Sequence, residues 1–423
     1  MTDPQDPATL LRAMFDAAVA AADPMKVIPP LLPEKPAGRV LVVGAGKASA
    51  RMAEAVESAW GPCEGYVITR YGYGRPCRGI EIVEAAHPVP DQAGVDATTH
   101  LLGLLDGVSA DDFVLCLISG GGSALLCAPA GEMTLAEKQG VNSALLASGA
   151  PIGAMNVVRQ HLSLVKGGQL AARTYPARML TLLISDVPGD DPALIASGPT
   201  VGRAGTADDA REIIRRFGIE LPESAQAVLD GPPLALARED RQLSKVENRI
   251  VAAPSQSLEA AAEVARAAGL EPRILSDDLE GEARDLAHAQ AAEALAVQAG
   301  MSAGQAPIVL LSGGECTVTR RGNGTGGPNA EFALAAAVAL QGLPGIHVIA
   351  CDTDGVDGAA EVAGAIAGPE TLGLARAIDL NPEIALAQND AHTFFEKIGA
   401  QIVPGPTLTN VNDFRAILIQ PPA

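Results

Sequence analysis

The stretch VLVVGAGKASARMAEAVESAW, residues Val40 to Trp60, decides the fold. It reads as a buried strand, a glycine turn and a helix, with Lys47 on the turn where the helix begins. At a helix N-terminus the free backbone N–H groups and the helix dipole favour an anion. A dinucleotide, a nucleoside triphosphate and a small carboxylate are all anionic, so the turn alone leaves three ligand classes open.

Working outward, short apolar runs alternate with helical patterns. RVLVVGAG, EGYVITR, IEIVEA, DFVLCLISGGG and RMLTLLISDVPGDD read as strands, with helical segments such as DATTHLLGLLDG between them. Strands this apolar, separated by helices, imply a largely parallel sheet covered on both faces. A proline- and charge-rich segment near 230–245 breaks the rhythm and is the expected linker and hinge. Beyond it NRIVAAPSQS, APIVLLSGGECTV and IHVIACDTDGVDG resume the alternation. The expected organisation is therefore two α/β domains, residues 1–235 and a smaller one over 245–423. LISGGGS (117–123) and LLSGGEC (310–316) resemble each other and are read as a shared turn solution rather than a duplication. Each glycine- or aspartate-rich motif follows an expected strand, which is where open α/β sheets bind ligands. One cleft between the domains is the expected active site.

The bulk numbers exclude several classes. The chain has 423 residues, 48% hydrophobic and 3% aromatic, a globular composition. A net charge of −20 disfavours nucleic acid and acidic membranes. No apolar run approaches the ~18 residues that span a bilayer, and the acidic N-terminus lacks a signal-peptide pattern, so a cytoplasmic location is expected. Six scattered cysteines form no C-x-x-C, and Cys116 and Cys316 read as buried thiols. No H-E-x-x-H is present, against a zinc hydrolase. Among seven lysines, Lys47 and Lys166 lie beside glycine-rich turns.

GAGKAS is not a Walker A loop: Leu41 and Ala48 replace its first glycine and its Ser/Thr. Gly44 and Gly46 fit a dinucleotide fingerprint, but Ser49 replaces the third glycine; Arg70 at the end of the next strand keeps NADP open. In ISGGGSALL, Gly120, Gly121 and Gly122 can form an anion nest with Ser119 and Ser123 as hydroxyl donors. NVVRQHLSLVKGGQLA reads as a helix on which Arg159, Ser163 and Lys166 share a face and His161 lies off it. Asp186, Asp190 and Asp191 sit on one strand-end loop, and Asp352, Asp354 and Asp357 on another. Carboxylates in such turns suit Mg²⁺ held together with phosphates, against a background of ordinary Asx turns. The glycine-dense segment 311–334, with Glu315, Gly326, Gly327, Asn329 and Glu331, reads as a ligand-approach loop opening a helix at Pro328.

Taken together, VVGAGKA, ISGGGSALL, NVVRQHLSLVKGGQLA, ISDVPGDDPALIASGPT, LSGGECTV, GGPNAEFALA, DTDGVDG and PGPTLTNVNDFRAILI resemble the class II glycerate 2-kinases over nearly the whole chain. Older annotation of that family reads hydroxypyruvate reductase from tartrate-degradation operons. The resemblance implies a Rossmann-like first domain, a second domain of leucine-rich multi-organism fragment type, and ATP- and Mg²⁺-dependent phosphorylation of D-glycerate at its 2-hydroxyl. It implies Lys47 and Asp186 as catalytic groups. Asp190, Asp352, Asp354 and Asp357 become expected metal ligands. Gly44, Gly46, Ser119–Ser123, Arg159, Lys166, Glu315, Gly326, Gly327, Asn329, Glu331, Asn410 and Asp413 become expected substrate and phosphate contacts. The chain departs from the family where many members have arginine and glutamine, at Pro328 and Ala330, and where others have arginine, at Thr325. Arg320 and Arg321 are the nearby guanidiniums. D-Glycerate is the expected partner, and a homodimer is allowed for. NAD(P)H-dependent reduction of hydroxypyruvate and a non-catalytic sugar-acid or nucleotide sensor are the alternatives.

Overall fold

The computed structural model describes residues 6–358 and 360–422, in two compact units. Residues 24–186 and 190–251 form one; residues 6–23, 187–189 and 252–422 form the other.

The first unit is built on strands β1 (Val40–Ala45), β2 (Glu64–Arg70), β3 (Ile80–Ala85), β4 (Phe113–Ile118), β5 (Arg178–Ile184) and β6 (Val246–Ala252) in the order β3-β2-β1-β4-β5-β6. Neighbours from β3 through β5 pair in parallel. This is the Rossmann strand order, whose direction of winding reverses between β1 and β4. Both strands at the reversal are buried along their whole length, as their unbroken apolar runs require. The helix Ser49–Trp60 packs on β1, β2 and β4. A separate helical layer, Leu135–Ala147, Ile152–His161, Ala207–Arg216 and Glu223–Asp230, closes on Val141, Leu145, Val158, Leu162, Ala210 and Leu229. Two of its helices start on capping boxes, Thr134 with Glu137 and Thr206 with Asp209.

The second unit contains β7 (Glu271–Ser276), β8 (Gly281–Glu282), β9 (Ile308–Gly314), β10 (Cys316–Thr317), β11 (Ile346–Asp352), β12 (Gly364–Ala367), β13 (Gln401–Ile402) and β14 (Asp413–Ile419). Its main sheet runs β13-β12-β11-β14-β9-β7, and β8 and β10 form a two-residue ribbon. Within the main sheet only β7 and β9 are parallel and the other pairs are antiparallel; the β8–β10 ribbon is parallel. The last strand, β14, inserts between β9 and β11 and runs against both. Both faces are nevertheless covered. Ile308, Leu310, Val348, Ala350, Ile417 and Ile419 face one helical layer, and Val309, Leu311, Ile349, Cys351, Ala416 and Leu418 the other. That strict alternation explains why the strands read as continuous apolar runs although their directions differ.

The boundaries differ from the sequence expectation. The segment near 230–245 is a surface loop that leads into β6, an edge strand of the first sheet, and the change of unit follows residue 251. The helix Pro7–Ala21 presents Leu11, Met14, Phe15 and Ala18 to the second sheet, packed against the helix Pro254–Ala267. An i, i+3, i+4, i+7 stripe announces an amphipathic helix but not which sheet receives it. The two similar strand ends also diverge: β4 enters a helical turn at Gly122, whereas β9 continues into β10.

Candidate active site

At the winding reversal the β1 and β4 turns interlock. A Cβ on Gly44 would lie 2.2 Å from Leu117 O, and one on Gly46 (φ +147°) would lie 2.1 Å from Ser119 Oγ. Glycine at both positions is thus demanded by the neighbouring strand end. Lys47 N–H donates to Gly120 O at 2.9 Å, and Thr69 Oγ1 donates to Gly46 O at 3.1 Å. Ser119 is buried; its Oγ accepts from Ala48 N–H at 3.0 Å, and Ser49 Oγ donates to Leu117 O at 3.0 Å. Ser119, expected to donate to a ligand, instead sits inside the turn and caps the helix behind Lys47. Gly121 is left-handed (φ +79°), and a Cβ there would meet His87 and Lys47.

Ser197 Oγ donates to Asn156 Oδ1 at 2.9 Å, so in the 2.9 Å Ser123–Ser197 pair the Ser123 hydroxyl is the donor. Ser123 therefore offers a ligand lone pairs rather than its proton. Residues Ala196, Ser197 and Gly198 all have positive φ, a strained run pinned by Gln160, whose Nε2 donates to Ala193 O and Ser197 O at 3.2 Å. His161 is buried with Nε2 3.0 Å from Gly205 O, a structural role. Arg159 is partly buried, and burial pushes its pKa down. Arg70 stacks on Tyr73, 5.0 Å from ring centroid.

Lys166, expected at a phosphate, is buried beneath the serine loop, with Nζ donating to Ser123 O at 2.6 Å and Leu126 O at 3.3 Å. Lys138 is buried beside it and donates to Leu162 O at 2.9 Å. Burial, then the charge of Lys138, brings Lys166 down to about 7; burial brings Lys138 down to about 8. Both values lie below the ~10.4 of an unfolded lysine, so above pH ~7 the unfolded chain binds more protons than the folded one at these sites. The lysine contribution to stability then rises with pH, while the buried thiols act oppositely above pH ~8.5. Comparison of wild type with Lys166→Met in denaturant titrations isolates the lysine: the wild-type-minus-variant difference should grow from pH ~7 to ~9 by about 1 kcal/mol or more. A pH-independent difference would overturn this reading.

Asp186 follows β5, two strands from β1; at ~4.8 Å per strand that is roughly 10 Å across the sheet edge. Asp191 is turned back, accepting from Ala193 N–H at 2.9 Å. Asp190 (φ +54°) keeps Oδ1 buried without a hydrogen-bond partner among the described residues.

In the second unit most expected ligand contacts serve one another. Asp357 is buried and caps the helix Pro328–Leu340: Oδ1 accepts from Asn329 N–H at 2.9 Å and Oδ2 from Ala330 N–H at 2.8 Å. His392 Nε2 lies 3.1 Å from the same carboxylate. Asn329 Nδ2 donates to Asp413 Oδ1 at 2.6 Å; Asp413 Oδ2 accepts from Cys316 N–H and Arg415 Nη1, each at 3.1 Å. Burial pushes the Asp413 carboxyl up against the pull of Arg415, and pushes the Cys316 thiol to about 12. Glu331 is buried in an ion pair with Arg284 (2.6 Å) and accepts from Asn389 Nδ2 at 3.1 Å. Asn410 Oδ1 accepts from Asn412 N–H at 3.2 Å. Asp352 and Asp354 accept from the N–H groups of Asp354 and Val356, ordinary Asx turns.

The glycine-dense loop is likewise a packing solution. A Cβ on Gly322, Gly324, Gly326 or Gly327 would lie 2.4, 2.4, 2.7 or 2.3 Å from Gln388, Asp390, Asn389 or Asp357. Glu315, by contrast, is exposed at the end of β9, as are Arg320 and Arg321 on the loop. Among the described residues no three His, Cys, Asp or Glu side chains converge on a metal position. The four expected metal ligands therefore form no cage. Mg²⁺ commonly needs only one or two carboxylates when it arrives with phosphates, and the orphaned Asp190 oxygen suits that arrangement.

Residues 10–230 match DUF4147, a domain of unknown function, and residues 308–413 match the MOFRL family. The chain is 37% identical to the D-glycerate 2-kinase of Thermotoga maritima over 98% of both chains. The chain belongs to the class II glycerate kinase family. A crystal structure of glycerate kinase from Thermotoga maritima superposes with a TM-score of 0.85 at 37% identity, covering 98% of this chain and 99% of that one. A protein of Agrobacterium vitis provisionally named hydroxypyruvate reductase is 52% identical over 97% of this chain and 94% of its own. Within this glycerate kinase family chain, sequence reasoning missed His87, Asn156, Ser197, Arg284, Asn389, His392 and Arg415. HPVP after β3 was a usable signal for His87; the others lack a local one, because their partners lie far along the chain.

Proposed function

We propose that the chain is a D-glycerate 2-kinase that transfers the γ-phosphoryl group of ATP to the 2-hydroxyl of D-glycerate. The observation that carries the reading is the pairing of Lys47 with the Gly120–Ser123 turn at the winding reversal of a parallel sheet. Phosphoryl transfer asks a protein mainly for alignment and charge neutralisation. Lys47 neutralises the oxygens of the transferring group, and the main chain of the serine turn orients them. Asp186 takes the hydroxyl proton as the hydroxyl oxygen bonds to phosphorus and ADP leaves with the electron pair of the broken P–O bond. Asp190, together with the nucleotide's phosphates, would hold Mg²⁺, which would supply further charge neutralisation. Kinases among the relatives support this reading.

The name carried by the Agrobacterium relative favours hydroxypyruvate reduction as a second reading. Against it, a dinucleotide fingerprint lacks its third glycine, and Arg70 stacks on Tyr73. Purified protein with D-glycerate, ATP and Mg²⁺ should release ADP in a glycerate-dependent manner and yield 2-phosphoglycerate. A parallel cuvette of NADPH and hydroxypyruvate should stay unchanged; NADPH oxidation without ADP release overturns the kinase.

A further inference from the structure

The geometry points to His87 as a second substrate-contacting residue, whose imidazole and Lys47 hold one anionic group across the face of Gly121. The inference rests on the kinase reading and adds to it a side chain that no motif identified.

Gly121 fixes the placement. A Cβ built on it would lie 3.0 Å from both Cδ2 and Nε2 of His87 and 3.2 Å from Lys47 Cγ. Ring and lysine stem therefore both border the same glycine face, on the side an L side chain would fill. Gly121 belongs to the loop whose main chain receives Lys47 N–H through Gly120 O. Lys47 and Gly121 thus stand at the ends of β1 and β4, and His87 reaches the same glycine from the loop after β3.

The loop that carries His87 is held from several directions. Asp91 Oδ1 accepts from Ala86 N–H at 3.2 Å and from Gly94 N–H at 3.0 Å, and its Oδ2 accepts from Tyr71 Oη at 2.8 Å. Gln139 Nε2 donates to Pro90 O at 2.7 Å. A loop fixed this way gives its side chain a defined direction, which a binding group needs.

The other histidines lie in different surroundings. His161 Nε2 lies against Gly205 O and His392 Nε2 against Asp357, both buried, and His288 is exposed on the helix Ala283–Gly300 of the second unit. His100 stacks on Tyr66 at 4.6 Å, and burial pushes His347 down. His87 keeps partial exposure, as does Lys47. An imidazole N–H can donate to an anionic oxygen while the ammonium neutralises it. The shared ligand chemistry is a charged oxygen, which either the glycerate carboxylate or a nucleotide phosphate supplies.

Calorimetric titration of full-length wild type, His87→Ala and His87→Gln with D-glycerate, and separately with the Mg²⁺ complex of β,γ-methylene-ATP, distinguishes the two sources. His87→Ala should weaken one ligand by roughly tenfold to a hundredfold, the range of a charge-assisted hydrogen bond, and leave the other within about twofold. His87→Gln, which retains an N–H donor, should recover part of the loss at unchanged thermal unfolding. Steady-state rates should then show the loss in KM for the same ligand. If His87→Ala binds both ligands within about twofold of wild type, the assignment is wrong. Wild type that binds neither ligand and releases no ADP removes the kinase reading itself, a result distinct from failure at His87 alone.

Discussion

Lys47→Ala should lower kcat/KM for D-glycerate by roughly three orders of magnitude or more, the scale of losing a cation that neutralises a transferring phosphoryl group. Its unfolding transition should stay within about 0.5 kcal/mol of wild type. The two halves of that expectation have different physical origins. The main chain of residue 47 makes bonds that alanine retains: its N–H bonds Gly120 O, and the following Ala48 N–H is taken by Ser119 Oγ. What alanine removes is the ammonium, carried on a stem that borders Gly121 of the serine turn. Lys47→Arg tests geometry as well as charge. A planar guanidinium retains the positive charge but cannot occupy the same point, so partial activity at unchanged stability is expected. A Lys47→Ala enzyme within about tenfold of wild-type kcat/KM would end the assignment of this turn to the reaction.

The first unit was legible because its signals are local. Val40–Trp60 reads as strand, turn and helix, and the structure has β1 at Val40–Ala45 and a helix at Ser49–Trp60. Unbroken apolar runs alternating with helices announced a parallel sheet, and β1 through β5 form one. The second sheet hid its strand directions because residues alternating between two covered faces look the same in either direction. Its glycine loop was ambiguous for a related reason. What crowds Gly322, Gly324 and Gly326 is the backbone and side chains of residues 388–390, more than sixty positions away. Nothing local distinguishes a glycine that admits another loop from one that admits a ligand. Lys166 shows the limit for charge. Lysine beside a glycine turn suggested phosphate, yet its acceptors are main-chain carbonyls of the loop it supports. His87 was overlooked for the converse reason: its significance lies in meeting Gly121 and Lys47, each from a different strand end.

Asp357→Ala should destabilise the second unit by roughly 3–5 kcal/mol, which distinguishes an internal capping role from the metal role its sequence suggested. In an Asx turn at a surface loop this substitution would cost little. Here the carboxylate is buried and takes the N–H groups of Asn329 and Ala330 at the start of Pro328–Leu340, with His392 and Asn329 Nδ2 completing its shell. Truncation leaves two helix N–H groups without their acceptor and the buried His392 ring with only the main-chain oxygen of residue 357, and that desolvation cost dominates. It also frees Asn329, the link to Asp413, so the disturbance reaches the start of β14. Asp357→Asn retains the shape and one acceptor oxygen but turns an N–H₂ group toward a donor, so a smaller loss of about 2–3 kcal/mol is expected. Because the chain has two units, a single unfolding midpoint is a poor readout. Amide exchange within Pro328–Leu340, set beside exchange in β1 and β4, locates the loss. Faster exchange confined to the second unit is the expected result. Unchanged exchange together with a raised Mg²⁺ requirement in the kinase assay would reinstate Asp357 as a metal ligand.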